Sequence, residues 1–336
     1  MKRIAINGFG RIGRLAFRII NDMESDMEVV AVNDLSTPEE LAYLLKYDTI
    51  HGRYNKEVTY NDNNIIVDNK EVKVYSEKDP INLPWDMLNI DVVLECTGKF
   101  LKLMDASMHI KAGAKKVLIS APGKDDMKTI VYNVNDEELE ETDYIVSASS
   151  CTTDCLAPVL KVLNDKFGVI NGNMTTIHAY TNDQVTLDIP HKKGIKARRG
   201  RAAGMNIIPT STGAAKSISK IIPSLENKIM GSAIRVPISD GSLVDLVVTL
   251  DSNPTIEEIN QAFIDSKNET LGYTIDPIVS SDIISTSYGG LVDGNLTNVI
   301  KSEDHTIARV VAWYDNEMGY THQMISTLRY FLSLDK

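Results

Sequence analysis

Apolar and polar positions follow two different rhythms along the chain, and the change falls near its middle. Residues 3–7 read as a strand, and Ile12, Leu15 and Ile19, at i, i+3 and i+7, put an apolar stripe on a helix over 11–23. Residues 27–33 form a second apolar strand. At 36–40 a capping hydroxyl, a proline suited to a first helical turn and two acids predict another helix start. Residues 64–67 and 72–75 flank a polar Asp68-Asn69-Lys70-Glu71 turn as a hairpin, and further strands are expected at 91–96, 116–120 and 144–146. Strand and helix in alternation predict an α/β domain over 1–150, with a mostly parallel sheet covered on both faces.

Residues 151–315 have another texture. A helix from Cys151 to about Phe167 precedes a β-prone stretch at 174–181, and an irregular basic loop covers 189–206. A helix is expected after Thr212-Gly213, strands at 234–238 and 243–250, a helix over 255–266 and a strand at 307–313. Strands in runs with helices between them predict an α+β second domain. A closing helix, residues 316–336, carries Met318, Ile325 and Leu328 on one side and is expected to complete the first domain.

Composition narrows the class. A chain of 336 residues has room for two full cores, and 43% hydrophobic with 24% charged residues is ordinary for a globular protein. No apolar run approaches the ~18 residues of a membrane span, and the opening reaches Gly8 too early for a signal peptide. Three cysteines, an odd number, argue against a disulfide framework and for a reducing, cytoplasmic setting. The net charge of −11 disfavours nucleic acid and anionic membranes as partners. One segment runs against that acidity: Lys192, Lys193, Lys196, Arg198, Arg199 and Arg201 fall within ten residues with no acid among them. Beyond a solvated loop, and without interleaved aromatics, it reads as a subunit contact or a phosphate site.

Two sets of residues carry chemistry. Gly8-Phe9-Gly10-Arg11-Ile12-Gly13 is G-x-G-x-x-G between a predicted strand and helix. Gly8 permits the tight turn, Gly10 lets a pyrophosphate approach, and Gly13 lets helix pack on strand, with the N–H groups of Arg11 and Ile12 facing phosphates. Asp34 ends the second strand 21 residues beyond Gly13, near the spacing of an acid on ribose hydroxyls. Its charge would repel a 2′-phosphate, so NAD is expected rather than NADP. Cys151 stands at a helix start, where unpaired N–H groups and the helix dipole are expected to lower its pKa and favour a thiolate. His178, 27 residues on, is a candidate base, since a thiol needs a neighbouring base or cation for activation. Cys151 and Cys155 share a helix face, but only Cys96 remains as a further thiol, so no metal is expected.

These residues resemble the phosphorylating glyceraldehyde-3-phosphate dehydrogenases (type I). The resemblance runs through five blocks: Ile6 to Arg14, Ser150 to Pro158, His178 to Gln184, Pro209 to Lys216 and Trp313 to Tyr320. It implies a Rossmann-type NAD-binding domain with an α+β catalytic domain. Glyceraldehyde 3-phosphate and inorganic phosphate would be the substrates, in glycolysis or gluconeogenesis, and the assembly a homotetramer. Cys151 would form a thiohemiacetal and then a thioester, with His178 as base and Asn316 holding the nicotinamide carboxamide. Thr181 and Arg235 would hold the substrate's phosphate; Thr152, Thr212 and Gly213 the attacking one, assisted by Arg199; Ser150 would border the pocket. Lys78 and Ser120 match positions lining the family's cofactor cleft. Ile189-Pro190 matches a pair that accompanies NAD preference, next to the adenosine of an adjoining subunit. A sister enzyme acting on erythrose 4-phosphate shares the cysteine–histidine pair, but Thr210-Ser211-Thr212-Gly213-Ala214-Ala215 keeps the glyceraldehyde form.

The chain departs from the pattern in places. Asp154 and Ala148 replace asparagines, and the loop from Pro190 to Arg199 is about three residues longer than the common form. A carboxylate at Asp154 suits the helix dipole yet adds negative charge near Cys151, so a higher cysteine pKa is expected than in asparagine-bearing members.

Overall fold

In the computed structural model, which describes residues 1–335, the chain separates into two units. One comprises Met1–Ile130, Asp136–Ser149 and a C-terminal segment from Met324; the other comprises Val131–Asn135 and Ser150–Gln323.

The first unit holds strands β1 (Lys2–Asn7), β2 (Met27–Asn33), β3 (Val58–Tyr60), β4 (Asn64–Val67), β5 (Lys70–Tyr75), β6 (Val92–Glu95), β7 (Lys116–Ile119) and β8 (Ile145–Ser147). Their order is β3-β4-β5-β2-β1-β6-β7-β8, and every pairing from β5 to β8 is parallel. Helices α1 (Arg11–Asp22), α2 (Pro38–Lys46) and α3 (Leu103–Lys111) belong to this unit. Strand order reverses at β1, which has β2 on one side and β6 on the other. A parallel sheet of this kind binds ligands at the carboxyl ends of strands beside such a switch point. The hydrophobic pattern did not show α3, because its buried face consists of Ala106 and His109. His109 is sealed in the core: Trp85 Nε1 donates to its Nδ1 (3.0 Å), and its Nε2 meets Glu95 (3.2 Å).

The second unit holds β9 (Val169–Ala179), β10 (Ile208–Thr210), β11 (Ile229–Val236), β12 (Ser242–Leu250), β13 (Leu271–Thr274), β14 (Gly290–Asp293), β15 (Asn298–Lys301) and β16 (Thr306–Tyr314). The order is β10-β11-β9-β12-β16-β14-β13, with β15 also on β16; β9–β11 and β13–β14 are parallel and the rest antiparallel. Helices α4 (Cys151–Phe167), α5 (Ala214–Ile221) and α6 (Ile256–Asp265) lie in this unit, and α7 (Met318–Ser333) starts in it. Leu156, Leu160 and Leu163 of α4 share one core with Met174, Leu246 and Val310 from the sheet, which anchors the helix that carries Cys151. The closing helix begins at Met318 rather than 316, because the Asp315 carboxylate accepts from the Glu317 and Met318 N–H groups (2.8 and 2.7 Å) and so caps it.

Candidate active site

The glycine loop follows β1. Gly8 has φ +93°, and a Cβ there would lie 2.8 Å from the Cys96 carbonyl carbon and the Thr97 nitrogen. A Cβ on Gly13 would run into the Gly8 carbonyl oxygen. At Gly10 a Cβ would meet nothing within 4 Å, so the chain's own packing does not demand this glycine. The open face suits an approaching pyrophosphate, and α1 begins there with no side-chain cap on its N–H groups. Those are the donors of the turn that contains Arg11 and Ile12. The Arg11 guanidinium itself faces Asp48 in two hydrogen bonds (2.5 and 3.0 Å). Burial alone would raise the Asp48 carboxyl, but Arg11 and two backbone N–H groups hold it at about 2.

Asp34 lies just past β2, where one carboxylate oxygen accepts from the Phe9 N–H of the loop (2.9 Å) and the other from Ser36 (3.1 Å). A cavity of about 470 Å³ is lined by Gly8, Gly10, Asn33, Asp34, Lys78 and Thr97 among others, a size suited to part of a dinucleotide. Ser120 is not among its lining residues; it sits past β7, hydrogen-bonded to Cys96.

In the second unit, Cys151 is the first residue of α4 and Ser150 its N-cap, the Ser150 hydroxyl accepting from the Thr153 N–H (3.4 Å). Ser149, just upstream, has φ +62°, a left-handed turn that no glycine signalled. Cys151 Sγ lies 3.5 Å from His178 Nε2. His178 is next to last in β9, and its neighbour in the parallel register of β11 is Arg235. That pairing puts Arg235 Nη1 2.8 Å from His178 Nδ1, and the guanidinium also donates to the Ala179 carbonyl (2.7 Å) and Thr181 Oγ1 (3.5 Å). The same carbonyl lies 2.7 Å from His178 Nδ1; a ring proton on Nδ1 toward that carbonyl is the tautomer that turns the Nε2 lone pair to the sulfur.

The expected lowering of the Cys151 pKa is not what the fold produces. Burial pushes the thiol up to about 11; Arg235 and the Thr152 groups pull it back only in part, and Asp154 pushes it further up. Desolvation of an enclosed anion outweighs the partial charge of a helix terminus. Burial, reinforced by the Arg235 charge, takes His178 down to about 3.

The remaining sequence-derived candidates fall in two groups. Thr181 and Arg235 join the cysteine–histidine pair directly. Arg199 bonds Asp183 (2.7 Å), Thr210 (3.2 Å) and the Ser211 carbonyl (3.4 Å), close enough for its charge to bear on His178 and Arg235. Thr212 Oγ1 accepts from the Ala214 N–H (3.2 Å) at the start of α5, beside exposed Gly213. The Thr152 hydroxyl meets Tyr314 (2.9 Å), and both that hydroxyl and the Thr152 backbone N–H bear on the sulfur. Asn316 is buried past β16 and its Oδ1 accepts from Ser242 (2.6 Å). Sequence reasoning missed Tyr314 and Ser242. Tyr314 sets its ring edge-on to His178 (centroids 5.8 Å apart) and bonds Thr176 (2.7 Å). Its position beside Asp315-Asn316 was a signal, since a strand tyrosine facing a core needs hydroxyl partners.

Dinucleotide chemistry in one unit and a thiol with its own base in the other define a class: NAD-dependent oxidoreductases that carry their substrate on cysteine. The NAD-binding domain model of glyceraldehyde 3-phosphate dehydrogenase matches residues 2–103, and the C-terminal domain model of the same enzyme matches 150–316. The chain is 54% identical over 336 residues, the whole of both chains, to the glyceraldehyde-3-phosphate dehydrogenases of Clostridium pasteurianum and Clostridium acetobutylicum. It is 50% identical to that of Streptococcus pyogenes over 335 residues, 99% of each chain. The chain belongs to the glyceraldehyde-3-phosphate dehydrogenase family.

Proposed function

We propose that this chain oxidises D-glyceraldehyde 3-phosphate with NAD and inorganic phosphate to 1,3-bisphosphoglycerate, serving glycolysis or gluconeogenesis. The observation that carries the reading is the 3.5 Å approach of Cys151 Sγ to His178 Nε2. The first unit binds the dinucleotide, through the glycine loop, the Arg11 and Ile12 N–H groups, Asp34 and Lys78, with Ser120 nearby. The second unit holds the reacting groups. As the sulfur bonds to the aldehyde carbon, its proton passes to His178 Nε2 and on to the former carbonyl oxygen, giving a thiohemiacetal. The first N–H of α4 and the imidazole face that oxygen while it carries charge.

His178 next takes the hydroxyl proton as the C–H bond breaks; Asn316 would hold the carboxamide of NAD, which would supply the hydride acceptor. The product on Cys151 is a thioester. Phosphate attacks its carbonyl carbon, the C–S bond breaks, and the sulfur recovers a proton from His178. Arg235 and Thr181 hold the substrate's phosphate near the pocket that Ser150 borders; Thr152, Arg199, Thr212 and Gly213 take the attacking one. Spectrophotometric NADH formation tests the reading. Turnover should require phosphate or arsenate and vanish in Cys151→Ser; phosphate-independent turnover would refute it. A homotetramer, with the basic loop packed against a neighbouring subunit, belongs to the same proposal. Sedimentation at the mass of one 37.2 kDa chain would overturn that part.

A further inference from the structure

Ser242 opens β12 directly after Gly241, whose φ of +83° and close approach to the Ser280 carbonyl exclude any side chain at that position. The Ser242 hydroxyl accepts from the Ala179 N–H (3.1 Å) and donates to Asn316 Oδ1 (2.6 Å). A hydroxyl has one proton. With that proton committed to the amide, the atom facing Ser242 has to be the amide oxygen. A flipped Asn316 would leave both the hydroxyl proton and Oδ1 without a partner, at a place where Ser242 and Asn316 are 1% and 6% exposed. The backbone is pinned as well: Asp315 accepts from Glu317 and Met318 with one oxygen and from the Ser285 N–H (2.7 Å) with the other. Asn316 Nδ2, by contrast, has no partner among the described residues.

We propose that Ser242 is a positioning residue for the redox step: it fixes the rotation of the Asn316 amide and so reserves Nδ2 as the donor to the nicotinamide carboxamide. The inference rests on the reading of Asn316 given above. The same hydroxyl accepts from the Ala179 N–H, while His178 keeps its own contacts through the Ala179 carbonyl and Arg235.

Ser242→Ala, Asn316→Ala and the double variant, each as full chain, test it with substrate deuterated at the aldehyde carbon. The readouts are the single-turnover rate of deuteride transfer and the face of the nicotinamide that receives the label, read by NMR. Binding of ADP-ribose and the alkylation rate of Cys151 by iodoacetamide report on the rest of the fold. Ser242→Ala should slow transfer by about 10- to 100-fold, the scale of a misplaced reactant, and put label on both faces. ADP-ribose affinity and alkylation should stay within about twofold, as expected when the transfer geometry alone is disturbed. The double variant should be no slower than Asn316→Ala. If Ser242→Ala transfers normally while Asn316→Ala does not, this proposal alone is overturned. It is equally overturned if the two losses multiply, or if alkylation and ADP-ribose binding fall along with transfer. Should Asn316→Ala itself transfer at the normal rate to one face, the reading of Asn316 is wrong and the role of Ser242 goes with it.

Discussion

Asp154 and Cys151 lie in the same first helical turn, so their effect on one another was open to inference from spacing alone. The sign of the total effect on Cys151 was not, because burial, which no local pattern shows, dominates it. Asp154 is itself 2% exposed, and its negative charge adds to the upward push on the thiol. Asp154→Asn should therefore move the pH profile of Cys151 alkylation to lower pH, measured by stopped flow with iodoacetamide. Superimposable profiles would show that the carboxylate has no hold on the sulfur. His178 and Arg235 teach a related lesson: the two are 57 residues apart, and only strand register makes them neighbours.

At the scale of elements, what could be read locally was what is built locally. The glycine loop, the acid after β2 and the cysteine at the start of α4 are each defined within a strand–turn–helix segment, so spacing placed them. α3 escaped because its stripe is an alanine and a histidine, and the histidine is tolerated there through Trp85, Glu95 and Asn7. The start of α4 offers a direct check on how a cap serves a site. Ser150 satisfies the Thr153 N–H, and its hydroxyl also meets Thr153 Oγ1 (2.8 Å). Ser150→Ala should cost about 1 kcal/mol, seen as a lower urea midpoint with unchanged slope. Turnover should fall too, since the frayed turn carries Cys151. An unaltered midpoint would mean that the cap contributes nothing to the helix.

For the molecule as a whole, pH dependence is a contest between buried groups. His178 is held at about 3, against ~6.5 when unfolded, so the unfolded chain binds a proton that the folded chain refuses. Stability from this source falls as pH drops below ~6.5, by up to about 1.4 kcal/mol per unit. Asp240 acts the other way. Burial and then the charge of Asp315 push its carboxyl well up, so the folded chain keeps a proton that the unfolded chain gives up above ~3.9. Between ~4 and ~6.5 the slopes of His178 and Asp240 oppose each other, with His322, also lowered by burial, adding to the His178 side. Above that range Asp240 makes stability decline, joined above ~8.5 by the thiols that burial raises. Below it, loss through His178 is joined by Asp48 and Asp183, both held at about 2. Urea midpoints against pH should thus be highest near pH ~6.5, with two falling flanks. In Asp240→Asn the rise toward pH ~6.5 should steepen and the decline between ~6.5 and ~8.5 should vanish; a variant curve parallel to wild type would refute the assignment.

From sequence alone came the doubly wound first half, the phosphate-binding turn, the choice of NAD through Asp34, and the cysteine and histidine that carry the chemistry. Each follows from residues close together in the chain or from residue types with few alternative uses. Tertiary structure decided the rest: the burial that pushes the thiol up and the imidazole down, the guanidinium beside the base, the tyrosine that meets the Thr152 hydroxyl, and the serine bonded to Asn316. These depend on which strands lie side by side, in what register, and on how much water the packing removes. Local sequence carries no record of such long-range quantities.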